Sequence, residues 1–161
     1  MFNLGDIIDI AVRIEKNGEA TYRKAMEEVS DPGLSSALNR LATDELEHEK
    51  WFESLREQVK LPGVDPALEE MGKTMLQGIL GDKAFSISEA DFSRIENVKA
   101  LLKVSIEFET DTILFYEMIM AFIEDEKTIG SLNSIIAEEN RHVRVLTESL
   151  EKGALTVNST I

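Results

Sequence analysis

Residues Leu34–Lys60 read LSSALNRLATDELEHEKWFESLREQVK. Stepping alternately by four and three residues picks out Leu34, Leu38, Leu41, Glu45, His48, Phe52, Leu55 and Val59, a stripe down one side of a helix. Every member is apolar except Glu45 and His48, which stand at its centre. The same stepping gives Leu4, Ile8, Ala11, Glu15, Gly18, Tyr22, Ala25 and Val29 in an earlier segment. Later segments give Val98, Leu102, Ser105, Glu109, Thr112, Tyr116, Ile119 and Ile123, then Leu132, Ile135, Glu139, His142 and Leu146. Four amphipathic helices are therefore predicted, over Asp6–Val29, Leu34–Lys60, Arg94–Glu124 and Ser131–Lys152. Each carries a carboxylate at the centre of its inward face, and two add a histidine.

The breaks between these segments set the topology. Asp31-Pro32-Gly33 separates the first two helices, and a turn near Asp125–Gly130 separates the last two, so each pair forms an antiparallel hairpin. Between the hairpins lie the 33 residues from Leu61 to Ser93, opened by Leu61-Pro62-Gly63-Val64-Asp65-Pro66. A short helix is expected there over Ala67–Leu80. A link of that length can run the full height of a bundle. The expected fold is all-α: a four-helix bundle of two hairpins joined by one long crossover. Gly153 is expected to stop the last helix, which makes residues 1–153 one domain and 154–161 a C-terminal tail.

Composition narrows the function. The chain has 161 residues, with 31 acidic against 17 basic and a net charge of −14. That excess of acid argues against nucleic acid and against anionic membranes as partners. No run of apolar residues is long enough to span a bilayer. The first residues lack a basic stretch of the kind that opens a secretory signal, so the cytoplasm is expected. With no cysteine in the chain, disulfides, thiol catalysis and Cys-ligated metals are excluded.

A single carboxylate buried in an apolar core costs several kcal/mol. Four at comparable depth, Glu15, Glu45, Glu109 and Glu139, need a shared counter-charge. Two divalent ions balance four carboxylates, with His48 and His142 as neutral ligands. Depth agrees: residue 30, midway between Glu15 and Glu45, falls at the first turn. Residue 124, midway between Glu109 and Glu139, falls about one helical turn before the second.

The two halves of the chain also repeat each other. An offset of 94 carries Glu15 to Glu109, Tyr22 to Tyr116, Glu45 to Glu139 and His48 to His142. It also matches Met26 with Met120, Asp31 with Asp125, Leu38 with Leu132 and Asn39 with Asn133. The chain contains two tyrosines and two histidines in all, and all four obey the offset. Each hairpin thus supplies a Glu, a Tyr and a Glu-x-x-His pair.

Glu15 with Glu45-Leu46-Glu47-His48, repeated as Glu109 with Glu139-Asn140-Arg141-His142, resembles the ferritin-like di-iron carboxylate proteins. The long crossover resembles the rubrerythrin type within that superfamily. The resemblance implies a di-iron oxidoreductase that reduces hydrogen peroxide, or O2, with Glu15, Glu45, His48, Glu109, Glu139 and His142 as ligands. Alternatives are an iron-binding ferroxidase for storage and a non-catalytic metal-stabilised bundle. Ligand type suits two iron ions, with manganese or zinc as substitutes. Rubrerythrin proper carries a Cys-rich rubredoxin domain, which this chain lacks, so electrons are expected from an external donor protein. Rubrerythrin also has a further Glu near the third helix's ligand; here that position is Thr112, and its repeat mate is Gly18. A homodimer is the expected assembly.

The flanking residues are read more plainly. Tyr22 and Tyr116 are expected to bond and orient ligand carboxylates, with plain core aromatics as the alternative. Glu19, one turn after Glu15, is expected on a solvated face, with an extra ligand as the alternative. Asp44, Glu47, Glu49, Glu53 and Glu138 are expected to be exposed. Trp51 is expected to pack or to lie at an interface, and the methionines are expected to fill the core.

Overall fold

Two aspartates 94 residues apart start the second helix of each hairpin. Asp31 accepts a bond from the Gly33 backbone N–H at 2.8 Å and, through its carbonyl, from Ser35 N–H at 2.9 Å. Asp125 accepts from Thr128 N–H at 2.7 Å and from its hydroxyl at 2.6 Å. Both satisfy amide groups that a helix start leaves without partners. The computed structural model describes residues 4–58, 95–121 and 123–158. Among them stand four α-helices and no strand: α1 Leu4–Glu28, α2 Pro32–Gln58, α3 Ile95–Met120 and α4 Glu126–Asn158.

The caps move the helix starts from where periodicity put them. Pro32 opens α2 instead of breaking the chain, because a proline at the first helical position loses no bond the helix would have made. Asp125 starts α4 five residues before the expected Ser131, so Gly130 lies inside the helix. The second turn therefore centres near residue 123, and Glu109 and Glu139 stand level, as Glu15 and Glu45 do. The expected stop at Gly153 is also corrected: α4 continues to Asn158. A terminal glycine stops a helix by turning left-handed, and no described glycine has positive φ. An interior glycine costs only about 0.5–1 kcal/mol. The short helix expected over Ala67–Leu80 lies outside the described residues.

The stripes face inward. From Ile8 onward, the described members are all buried except Leu34 and Val98, which are half-buried. The apolar core falls into two parts. One holds Ile8, Ile14, Phe52, Tyr116, Ile119 and Leu132, and the other Tyr22, Leu38, Leu41, Leu101, Leu102 and Leu146. The first gathers the start of α1, the end of α2, the end of α3 and the start of α4. The second gathers the opposite halves. Gln58 and Ile95 therefore stand at opposite ends of the bundle, and the connection between them is a crossover. Between the two apolar parts lies a layer of buried polar side chains.

Candidate metal centre

The layer consists of Glu15, Glu45, His48, Glu109, Glu139 and His142, each at most 3% exposed. Helix pitch puts them there. Glu45 and His48 are one turn apart on α2, as Glu139 and His142 are on α4, so both members of each pair face inward. α1 and α3 bring one glutamate each from the other sides.

Both imidazoles point Nδ1 into the layer. His48 Nδ1 lies 2.8 Å from Glu139 Oε1 and 3.5 Å from Glu15 Oε2. His142 Nδ1 lies 2.9 Å from Glu139 Oε2 and 3.1 Å from Glu45 Oε1. Glu139 thus turns one oxygen to each histidine. The rings lie nearly parallel, with centroids 6.1 Å apart. Despite these short separations, both Nδ1 atoms, both Glu139 oxygens, Glu15 Oε2, Glu45 Oε1 and Glu109 Oε2 have no hydrogen-bond partner. Their lone pairs converge rather than pair. Ligands about 2.1 Å from one cation lie about 3 Å from their neighbours around it, which is the spacing seen here. Two groups have ligand atoms all within 4.8 Å of one another: Glu15, Glu45, His48 and Glu139, and Glu45, Glu109, Glu139 and His142. Glu45 and Glu139 belong to both. The six residues therefore fit a buried metal site.

The outer atoms of these side chains are fixed from the opposite hairpin. His48 Nε2–H donates to Glu138 at 2.6 Å, and His142 Nε2–H donates to Asp44 at 3.1 Å. A carboxylate can only accept, so each bond places an imidazole proton on Nε2 and would leave Nδ1 to a metal in place of a second proton. The Tyr22 hydroxyl donates to Glu109, and the Tyr116 hydroxyl donates to Glu15. All four bonds run between hairpins and obey the offset of 94.

With protein groups alone, a layer this dry must hold protons. Burial, then repulsion from Glu109 and Glu139, pushes Glu45 well up. Burial and the Glu139 charge push Glu109 up to about 8. Burial opposes a charge on His48, but Glu139 and Glu15 outweigh it and raise His48 to about 11. His142 is likewise raised against its burial, by Asp44 and the facing glutamates. Burial would raise Glu139 too, yet its two imidazole neighbours bring it down to about 2. Burial and facing carboxylates hold both tyrosines well above the ordinary phenol value.

A family model described as Rubrerythrin matches residues 6–150. The chain belongs to the rubrerythrin family. Two solved structures share its fold. A hypothetical protein from Pyrococcus furiosus is 16% identical, with a TM-score of 0.74, covering 95% of this chain and 91% of its own. A candidate ferritin-like diiron-carboxylate protein from Thermotoga maritima is 21% identical, with a TM-score of 0.72, covering 93% of this chain and 95% of its own. No curated protein matches the chain.

Glu19 bonds Arg23 at 2.7 Å and belongs to neither ligand group. Glu49 is buried beside Lys16, at 3.5 Å, rather than exposed. Asp44 and Glu138 correct the sequence reading most. Expected as exposed surface acids, they are the groups that hold the two histidines. One step before each Glu-x-x-His, they too lie 94 apart, and that match was their one signal. Gly18 and Thr112 differ as the sequence says. A Cβ on Gly18 would lie 2.6 Å from Glu45 Oε2, so the bare glycine makes room for that carboxylate.

Proposed function

We propose that this protein binds two iron ions and reduces hydrogen peroxide to water. What carries the proposal is Glu139, which turns one oxygen to each of two inward Nδ1 atoms inside a duplicated ligand set. Glu15 and His48 would complete one position, Glu109 and His142 the other, and Glu45 would serve both. Four carboxylates and two imidazoles suit iron or manganese. A ferrous pair held there supplies two electrons, one per ion, for reductive cleavage of the O–O bond.

The side chains do the rest. Tyr22 and Tyr116 hold Glu109 and Glu15 in place, and their raised values keep both hydroxyls protonated as fixed donors. Asp44 and Glu138 hold the imidazole rings and their tautomers. The apolar layers on either side keep bulk water away, which strengthens every charge interaction within. The net reaction takes two protons and two electrons per peroxide and releases two waters. The proposed electron donor is a separate protein that meets the acidic surface with a basic face. A homodimer and a cytoplasmic setting belong to the same proposal. No helix among the described residues is long and apolar enough to cross a membrane.

The test mixes anaerobically reduced, iron-loaded protein with H2O2 or with O2 and follows oxidation optically. Faster oxidation by peroxide, without mineral build-up on repeated addition, is expected. Much faster oxidation by O2, with iron mineral accumulating, would replace the peroxidase proposal with ferroxidase storage. Oxidation by neither would leave a structural metal site.

A further inference from the structure

The offset of 94 is kept by every residue of the layer and by the partners of its histidines and tyrosines, but it breaks beside them. Arg141 on α4 corresponds to Glu47 on α2. Arg141 Nη2 donates to Asp44 Oδ2 at 2.8 Å, the same oxygen that accepts from His142 Nε2 at 3.1 Å. On the other half, Glu138 accepts from His48 Nε2 at the shorter distance of 2.6 Å. Among the described residues no Lys or Arg nitrogen lies within 4 Å of the Glu138 carboxylate. Arg141 stands one turn from Glu138 on the same helix, but its guanidinium is committed to Asp44. Where symmetry would call for a cation near Glu138, the chain has the exposed acid Glu47.

We infer that Arg141 makes the two metal positions unequal, so that the position of Glu15 and His48 holds its ion more tightly than that of Glu109 and His142. The inference rests on the two-iron proposal above. The physical cause is the charge behind each ring. A full carboxylate charge hydrogen-bonded to Nε2 pushes electron density through the imidazole and strengthens Nδ1 as a donor. Glu138 delivers that charge to His48. Asp44 divides its charge between His142 and a guanidinium, and its bond to the ring is longer. The inner ligands match pair for pair in residue type, so these outer residues add a difference that the ligand types do not contain. The tighter position fills first and keeps its ion through turnover. The looser one is where iron exchanges with solution.

The experiment titrates Co2+ into the full chain and follows heat and visible absorption. The first ion disfavours the second by its own charge, so two unequal steps alone do not distinguish the positions; the variants do. Arg141→Gln should strengthen the second step and narrow the gap about tenfold. Glu138→Gln should weaken the first step, within the roughly 10–100-fold range of such outer partners. Both positions are at least partly exposed, and melting curves without metal check that the fold is kept. If Arg141→Gln leaves the gap as it was, or Glu138→Gln weakens both steps alike, the inequality is refuted while two-ion binding stands. Fewer than two ions in the unaltered chain would refute the two-iron proposal and this inference with it, a result separated by stoichiometry.

Discussion

Stripping metal from the protein should make its stability fall as pH rises through neutrality. The sign follows from which state holds more protons. Glu109 is raised from 4.5 to about 8 and His48 from 6.5 to about 11 in the folded chain. Near pH 7 the folded layer therefore keeps protons that the unfolded chain has released. Stability is full below the ordinary values and is lost as pH climbs through the raised ones. Glu139, brought down to about 2, acts oppositely, but only below its ordinary 4.5. Each excess proton costs about 1.4 kcal/mol per pH unit. Glu109 and His48 alone each hold most of one, giving roughly 2 kcal/mol per pH unit as a lower bound, or a fall of about 4–8 °C in melting temperature for a chain of this size; the raised Glu45 and His142 act in the same direction. The window is clean because the chain has two histidines, both in the layer, and no cysteine. Thermal melts by circular dichroism, on chelator-treated protein from about pH 6 to 8, should show that fall. Loaded protein should melt higher, with a flat or slightly rising profile, since metal displaces the same protons. A metal-free melting temperature that is constant or rises with pH, with metal loss confirmed by elemental analysis, would refute the account of the layer.

Three kinds of substitution probe the same layer. Glu45→Ala and Glu139→Ala each remove a carboxylate common to both ligand groups, so bound metal should drop from two ions per chain to one or none. The exposed Glu57→Ala should leave it unchanged, and equal loading of all three variants would contradict the ligand roles. Tyr22→Phe or Tyr116→Phe leaves a buried carboxylate oxygen without its donor, which should cost about 1–3 kcal/mol of stability. A melting curve unchanged within error would show that the hydroxyl does not hold the ligand. Gly18→Ala should weaken metal binding by displacing Glu45 while leaving metal-free melting equal or higher, because alanine favours the helix. Calorimetric metal affinity identical to the unaltered chain would mean that Glu45 does not need that space.

How much of this was legible in the sequence depends on the kind of signal. The bundle and the inner layer were legible because they obey helical periodicity: a polar residue on an apolar stripe is an anomaly that one dimension displays. The repeat then tied four anomalies into one site. Helix ends were less legible. Pro32-Gly33 and Gly130 look like breaks, yet Asp31 and Asp125 supply the caps that let both helices start earlier. Gly153 looks like a stop, but a glycine ends a helix only when the chain turns left-handed there.

Asp44 and Glu138 were misread for a deeper reason. On its own helix each sits off the stripe, partly in water, where an acid is ordinary. Its role exists only across the gap to the other hairpin, where the imidazole it holds is anchored. Periodicity describes what a helix does with its own neighbours and is silent about a bond made between helices 90 or more residues apart. The repeat carries what periodicity lacks, because a function that needs two symmetric halves duplicates its outer partners along with its ligands. The places where the duplication fails are then informative in their own right. Gly18 against Thr112 leaves room for one carboxylate, and Glu47 against Arg141 withholds a cation from one histidine's partner. In a site built from two copies of one motif, such departures are where two bound ions would be given different work.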